Sequence, residues 1–386
     1  MTRSILLLLF FISVGLMSCS DSEETASKPP LNTEIYTAGL PLDKIKLPEG
    51  FKITVFADSV ENARSMALSP NGTLFVGTRG AGNVYALTDK NGDMRADTVY
   101  TLAEGLKLPN GVAFKDGDLY VAEVNRIIKW TDIESKLENP GEPEIIFDQY
   151  PTETHHGWKY IAFGPDDKLY VPVGAPCNIC KSEDKVFASI TRLNQDGTGM
   201  EVIQHGIRNT VGFTWHPTTE ELWFTDNGRD WLGDDIPACE LNRATQENMH
   251  FGYPYCHQGD LQDEEFGDQG DCADFTPPIQ NLGAHVAPLG LEFVTSSLFP
   301  DSYKNQILIA EHGSWNRSKK SGYVVSMVTL DDQFNSTSYE AFAEGWLDQE
   351  ADEAWGRPVD LEFLPDGSIL VSDDFADVIY RIFYEG

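Results

Sequence analysis

Positive charge is scarce in this chain. Lys and Arg number 28 against 61 Asp and Glu among 386 residues, a formal net charge of −33. That balance excludes nucleic acid as a partner, because a duplex is held through cations that neutralise its phosphates. It equally disfavours docking on anionic lipid through a basic face. Long apolar periods of helical spacing are absent after residue 40, which argues against a helical architecture. Cysteine is sparse too, at 6. Neither a βαβ pattern nor a second closely spaced pair accompanies Cys177 and Cys180, so zinc and thioredoxin-like readings are weak. What remains, 41% hydrophobic and 23% charged residues, is the composition of a folded globular chain.

The N-terminus reads as an address. Arg3 precedes the apolar run Ile5–Val14, which is short for a membrane span and gives way to Leu16-Met17-Ser18-Cys19 and then Ser20-Asp21-Ser22-Glu23-Glu24. Those flanks are the pattern of a secretory signal peptide. The residues before Cys19 resemble a bacterial lipobox, the alternative being an ordinary cleavable signal with a chance cysteine. The expectation is a signal peptide over 1–18, a lipidated Cys19, and a flexible tether over 19–39 rich in Ser, Glu and Pro. The protein is then an exported lipoprotein facing the periplasm or cell surface, touching membrane only through its lipid.

Beyond residue 40 a strand–turn–strand unit repeats. Copies begin at Met66, Val112, Ile161, Val211, Leu289 and Val359, each a short apolar strand, a turn and a second apolar strand. Their second-strand leucines, Leu74, Leu119, Leu169, Leu222, Leu308 and Leu370, stand 45 to 62 residues apart except for one interval of 86. This period, with turns at Asn71-Gly72, Asp116-Gly117 and Asp366-Gly367, predicts an all-β six-bladed propeller of four-stranded antiparallel blades over 40–386. The long interval predicts an insertion near 250–285. Phe51–Phe56, which has strand alternation but no repeat, is expected to pair with Val378–Phe383 and close the ring. A β-sandwich has similar strands but does not explain the period.

Propellers bind ligands at the mouth of the central channel, and loops following the innermost strands are the expected place. Four polar clusters compete for that role. Thr154-His155-His156-Gly157-Trp158-Lys159 precedes the third repeat. A histidine there is usually structural, yet imidazole also has the pKa of a general base. His205-Gly-Ile-Arg208-Asn209 precedes the fourth and reads either as a surface turn or as an anion clamp. Asp226–Asp235, running on to Glu240 and Asn242, is either a solvated acidic loop or a calcium-like set of oxygens and glycines. The fourth cluster, Glu311–Arg317 with Lys319, Lys320 and Trp355-Gly356-Arg357, offers surface salt bridges or a flat-anion site of Arg beside Trp.

Taken in order, these motifs resemble the glucose/sorbosone dehydrogenase family, and Phe251–Cys256 and His312–Arg317 are similar to its sorbosone-dehydrogenase-like branch. The resemblance runs from about Leu47 to the C-terminus. It implies a soluble quinoprotein that oxidises a sugar or sugar aldehyde with pyrroloquinoline quinone (PQQ) and calcium, passing electrons to an external acceptor. Residue by residue, it implies His156 as catalytic base, and Arg208 and Asn209 as quinone contacts, Arg208 also polarising the reacting carbonyl. It further implies Arg357 as a cationic cofactor contact, and Gly228 and Arg229 as calcium ligands through their backbone carbonyls. Family members carry a lysine after the fifth repeat; here the residues are His312-Gly-Ser-Trp-Asn-Arg317, which makes Arg317 the candidate replacement.

Export permits disulfides. Cys256 and Cys272 bracket the acidic insertion and are expected to pair; Cys177 and Cys180 are spaced for a tight bridge, which would leave Cys239 free, and the sequence leaves the pairing of these three open. Two rival functions use the same architecture. A calcium-dependent lactone hydrolase of the gluconolactonase type requires Glu, Asn and Asp ligands, where His156, Arg208 and Arg357 stand here; a propeller that only binds glycan or protein requires no such set.

Overall fold

The repeated units become blades. In the computed structural model, which describes residues 31–386, six blades, each built on four antiparallel strands and the third extended by a short parallel fifth, form a six-bladed β-propeller. The signal segment and Cys19 lie outside the described residues. The innermost strands are Ala63–Leu68, Gly111–Lys115, Ala162–Phe163, Phe213–Trp215, Pro288–Phe293 and Pro358–Phe363, and they surround the channel. The second strands Leu74–Thr78, Leu169–Val173, Leu222–Asp226, Ile307–Glu311 and Ile369–Asp373 are buried along their whole length. Each is covered on both faces by neighbouring blades, which is why the sequence there shows runs instead of alternation. Blades approach so closely that a side chain at Gly212 would lie 2.0 Å from the Leu289 carbonyl oxygen.

The ring closes as expected. Phe51–Ala57 is the outermost strand of the sixth blade and pairs antiparallel with Val378–Tyr384, Ile53 opposite Ile382. Phe51 then packs edge-on against Phe299 and Phe342 of the fifth blade, joining the first residues of the propeller to its last two blades.

Two boundaries differ from expectation. Residues 32–39, assigned to the tether, are docked on the propeller. The Tyr36 carbonyl accepts from the Val55 N–H at 2.8 Å, its hydroxyl donates to Asp58 at 2.6 Å, and Arg95 stacks on its ring. An otherwise open strand edge supplies the partner. The insertion also ends earlier, because Gln280–Ala284 returns as the fourth strand of the fourth blade, paired with Ala238–Ala244. The residues between contribute Met249–His250, parallel to the outer strand Glu201–His205 of the third blade, and a small hairpin of Cys256–His257 with Leu261–Gln262. A Cys256–Cys272 disulfide ties this excursion, a Cys177–Cys180 disulfide closes another loop, and Cys239 is a buried free thiol.

Candidate active site

In a four-stranded meander, the loops after the first and third strands lie on one face of the propeller. The loops after the second and fourth strands lie on the other. The polar clusters belong to the second kind, so the expectation that they follow the innermost strands is corrected: those positions hold the tight turns at Asn71-Gly72, Asp116-Gly117 and Asp366-Gly367 on the opposite face. At the mouth where the longer loops meet lies a cavity of about 370 Å³. His156, Arg208, Asn209, Gly228 and Arg357, scattered over 202 positions of sequence, all line it.

His156 is buried and sits in the left-handed region at φ 50°. Gly174 makes the space: a side chain there would come within 2.5 Å of the His156 Cβ. The imidazole Nδ1 lies 2.9 Å from the Ala175 carbonyl oxygen. A carbonyl only accepts, so Nδ1 carries the proton and Nε2 keeps its lone pair. Burial holds the His156 pKa well below the usual 6.5, and the nearby charges of Arg208, His155 and Arg79 lower it further. The ring is a neutral, oriented imidazole with a free Nε2 lone pair.

Arg208 is fixed by its neighbours. Its Nε and Nη2 donate to the main-chain and side-chain oxygens of Asn178, both at 2.8 Å, Nη2 also to Asp230 at 3.1 Å, and Nη1 to the Asn227 carbonyl at 3.1 Å. Four of the five guanidinium protons are therefore placed by the protein. The Asp226 carboxylate accepts from the main-chain N–H groups of Arg208 and Asn209 at 2.8 and 2.6 Å, so the third cluster positions the second. The Asn209 side-chain amide makes no hydrogen bond among the described residues. Arg357 donates to the carbonyls of His312 and Gly313 at 3.0 and 2.8 Å.

Gly228 lines the cavity, and neither its carbonyl nor that of Arg229 accepts a hydrogen bond among the described residues. Both oxygens remain available to a hard cation. The Arg229 guanidinium is buried against Asp263 of the insertion at 2.5 Å, and Asp263 also meets His257 Nε2 at 2.9 Å. Arg317 is corrected: it does not line the cavity. It donates to the Asp234 carbonyl and, at 3.1 Å, to Asp235, because the acidic loop of the fourth blade reaches it first.

Several lining residues escaped the sequence reading. Arg64 is buried and pairs with Asp374 at 2.5 Å. Arg79 stacks on Trp158 at 3.9 Å and has no side-chain acceptor among the described residues; burial, reinforced by Arg64, lowers its pKa to about 10, still far above neutrality. His285 meets the Gly233 carbonyl at 2.8 Å, and the buried Cys239 thiol completes the wall. Burial pushes that thiol up to about 11, which makes it inert. The repeat register held a usable signal. The residue directly after the second strand reaches the mouth in several blades, as Arg79, Asn227 and His312 do.

The mouth therefore gathers Arg64, Arg79, Arg208 and Arg357 in a chain with 33 excess negative charges. A propeller with a neutral histidine beside a cationic channel mouth is the class of protein defined so far. The chain belongs to the TrAA12-like family, which matches residues 45–385, and thus to the glucose/sorbosone dehydrogenase-like proteins that its motifs resemble. An uncharacterised protein of Borreliella burgdorferi is 34% identical over 354 residues, 88% of this chain and 91% of that protein. Among solved structures, the calcium structure of the Trichoderma reesei AA12 carbohydrate-active enzyme is similar with a TM-score of 0.77 and 21% identity, covering 92% of this chain and 99% of that one. The holo PQQ domain of the Coprinopsis cinerea pyranose dehydrogenase aligns with a TM-score of 0.74 and 19% identity over 88% and 97%. At these identities, the two structures speak for the fold.

Proposed function

We propose that the protein oxidises a sugar or sugar aldehyde with PQQ and calcium, His156 acting as the base. The observation that carries this reading is the His156 Nε2 lone pair, held neutral by burial and by the arginines around it. The donor set fits a flat polycarboxylate quinone: Arg64, Arg79, Arg208 and Arg357 offer positive charge, and Asn209 offers an unengaged amide. The carbonyls of Gly228 and Arg229 would hold calcium. A quinone held by these residues would supply the two-electron acceptor chemistry that the oxidation needs.

The chain's own residues handle the proton. As the C–H bond breaks, the substrate hydroxyl loses its proton to His156 Nε2, leaving a carbonyl product. The resulting imidazolium is disfavoured by burial and by Arg208, so it passes the proton on to solvent readily. Because Arg208 is already anchored to Asn178 and Asp230, it need not reorganise during the reaction. A lactone hydrolase is less well served, since Arg64, Arg79, Arg208 and Arg357 line the cavity and suit an anionic cofactor better than a metal held by side-chain carboxylates.

The deciding experiment loads the purified protein with PQQ and calcium and follows dye reduction with aldoses and sugar aldehydes. Turnover that requires both additions supports the reading. Quinone-independent lactone hydrolysis, or no binding of the quinone, overturns it. The exported, Cys19-lipidated state belongs to the same proposal, since an external sugar and an external electron acceptor suit an enzyme outside the cytoplasm.

A further inference from the structure

Two tryptophans stand at the rim of the cavity with their rings in water. Trp231 and Trp315 are each 67% exposed, more than any other large hydrophobic side chain among the described residues. Trp315 lines the cavity, and Trp231 directly follows the lining residue Asp230. Their rings lie 5.5 Å apart at an interplanar angle of 85°, forming an open aromatic corner.

The corner is built, not incidental. Trp231 is held at φ 72°, a region that bulky side chains avoid, and it gains little burial there. The loops carrying the two rings come from different blades and are cross-braced. Arg317 reaches from the Trp315 loop to the Asp234 carbonyl and the Asp235 carboxylate, and the Ser318 N–H donates to Asp234 Oδ1 at 2.9 Å. The His285 ring also lies 2.8 Å from the Gly233 carbonyl, holding the Trp231 loop from its other side.

We propose that Trp231 and Trp315 form a subsite for a second sugar ring, so that the preferred substrate is an oligosaccharide oxidised at its terminal unit. This rests on the reading of the cavity as a sugar-oxidising site. A pyranose has faces of C–H groups and an equator of hydroxyls. Its faces pack on indole rings, and its hydroxyls find Asp234, Asp235 and Arg317 beside them. The corner is only two rings wide, far smaller than the surface of a stable protein interface, roughly 800 Å² per partner. A ring bound there is adjacent to the cavity, which Trp315 itself lines.

The test uses the mature chain with glucose, cellotetraose and maltotetraose as probes. In the protein without cofactor, one of the tetrasaccharides is expected to quench tryptophan fluorescence and to bind about tenfold more tightly than glucose, the scale of one good aromatic contact. In the loaded enzyme, Trp231→Ala is expected to lower the ratio of tetrasaccharide to glucose kcat/KM about tenfold. Arg317→Ala, which leaves both rings in place but removes the brace, should lower that ratio in the same direction and guards against misfolding of the first variant. Equal affinity for glucose and both tetrasaccharides overturns the proposal, as does a Trp231→Ala loss that is the same for all three. If the loaded enzyme oxidises no sugar while cofactor-free protein still binds a tetrasaccharide through Trp231, the subsite stands and the dehydrogenase reading fails.

Discussion

Asn178 grips Arg208 twice, through its main-chain carbonyl to Nε and its side-chain carbonyl to Nη2, both at 2.8 Å. The same side-chain oxygen accepts the Asp230 N–H at 2.8 Å, and the Asn178 amide donates to the Asp230 carbonyl at 3.0 Å. Asn178 sits inside the ring closed by Cys177–Cys180, whose Cys180 N–H is bonded to the Tyr253 hydroxyl at 3.0 Å. A four-residue loop thus fixes the guanidinium and the Gly228–Asp230 segment together. Removing it changes the geometry of both.

Asn178→Ala should therefore weaken quinone binding about tenfold to a hundredfold, the range for losing a hydrogen bond to a charged group. Absorbance titration of the cofactor-free protein with PQQ in the presence of calcium reads this directly. Replacing Cys177 and Cys180 together by serine should act in the same direction. Unchanged affinity in both variants would show that Arg208 holds its place without the clamp.

His156→Ala should reduce turnover by roughly 10²–10⁴-fold while leaving quinone binding nearly intact. The pH profile offers a separate check. Burial and the charges of Arg208, His155 and Arg79 hold the imidazole well below 6.5, so the base stays unprotonated through neutrality. The wild-type rate should hold steady as pH falls through 6.5 and decline only at distinctly lower pH. A midpoint at or above 6.5 would mean that another group titrates.

At the far end of the channel an opening of about 220 Å³ is lined by Glu292 and Glu362, with Asp360 beside them. Burial pushes Asp360 up to about 7 and Glu362 up to about 8, the latter helped by the Asp360 charge. In the unfolded chain these groups ionise near ordinary carboxylate values. Between those values and the raised ones, the folded state binds more protons, so this cluster makes stability fall as pH rises. Glu362→Gln should accordingly raise Tm at pH 8 while changing it little at pH 4. An equal shift at both pH values would disprove the linkage.

If Cys19 is the acylated terminus, the protein expressed from its full sequence should partition with membranes, and Cys19→Ser should release it or stall its processing. Mass spectrometry of the N-terminus settles the point: an unmodified terminus on soluble wild-type protein would rule out the lipid.

The architecture was legible because a propeller repeats. Each blade must bury the same second strand, so Leu74, Leu119, Leu169, Leu222, Leu308 and Leu370 recur, and the chain needs Phe51–Ala57 to complete its last sheet. That His156, Arg208, Asn209, Gly228 and Arg357 come together at one cavity was legible because their motifs lie beside those repeats. The partners were not. Arg64 and Asn178 carry no local pattern and Arg79 only its place after a second strand, and only the packing of blades brings Arg79 over Trp158 or Asn178 against Arg208. Arg317 is the converse case. The sequence placed it among the cofactor cations by position, whereas the three-dimensional proximity of Asp234 and Asp235 turned its guanidinium toward the rim, where it braces the loops that carry Trp231 and Trp315. A side chain's type is written in the sequence, but its partner is whichever charge the tertiary fold brings nearest.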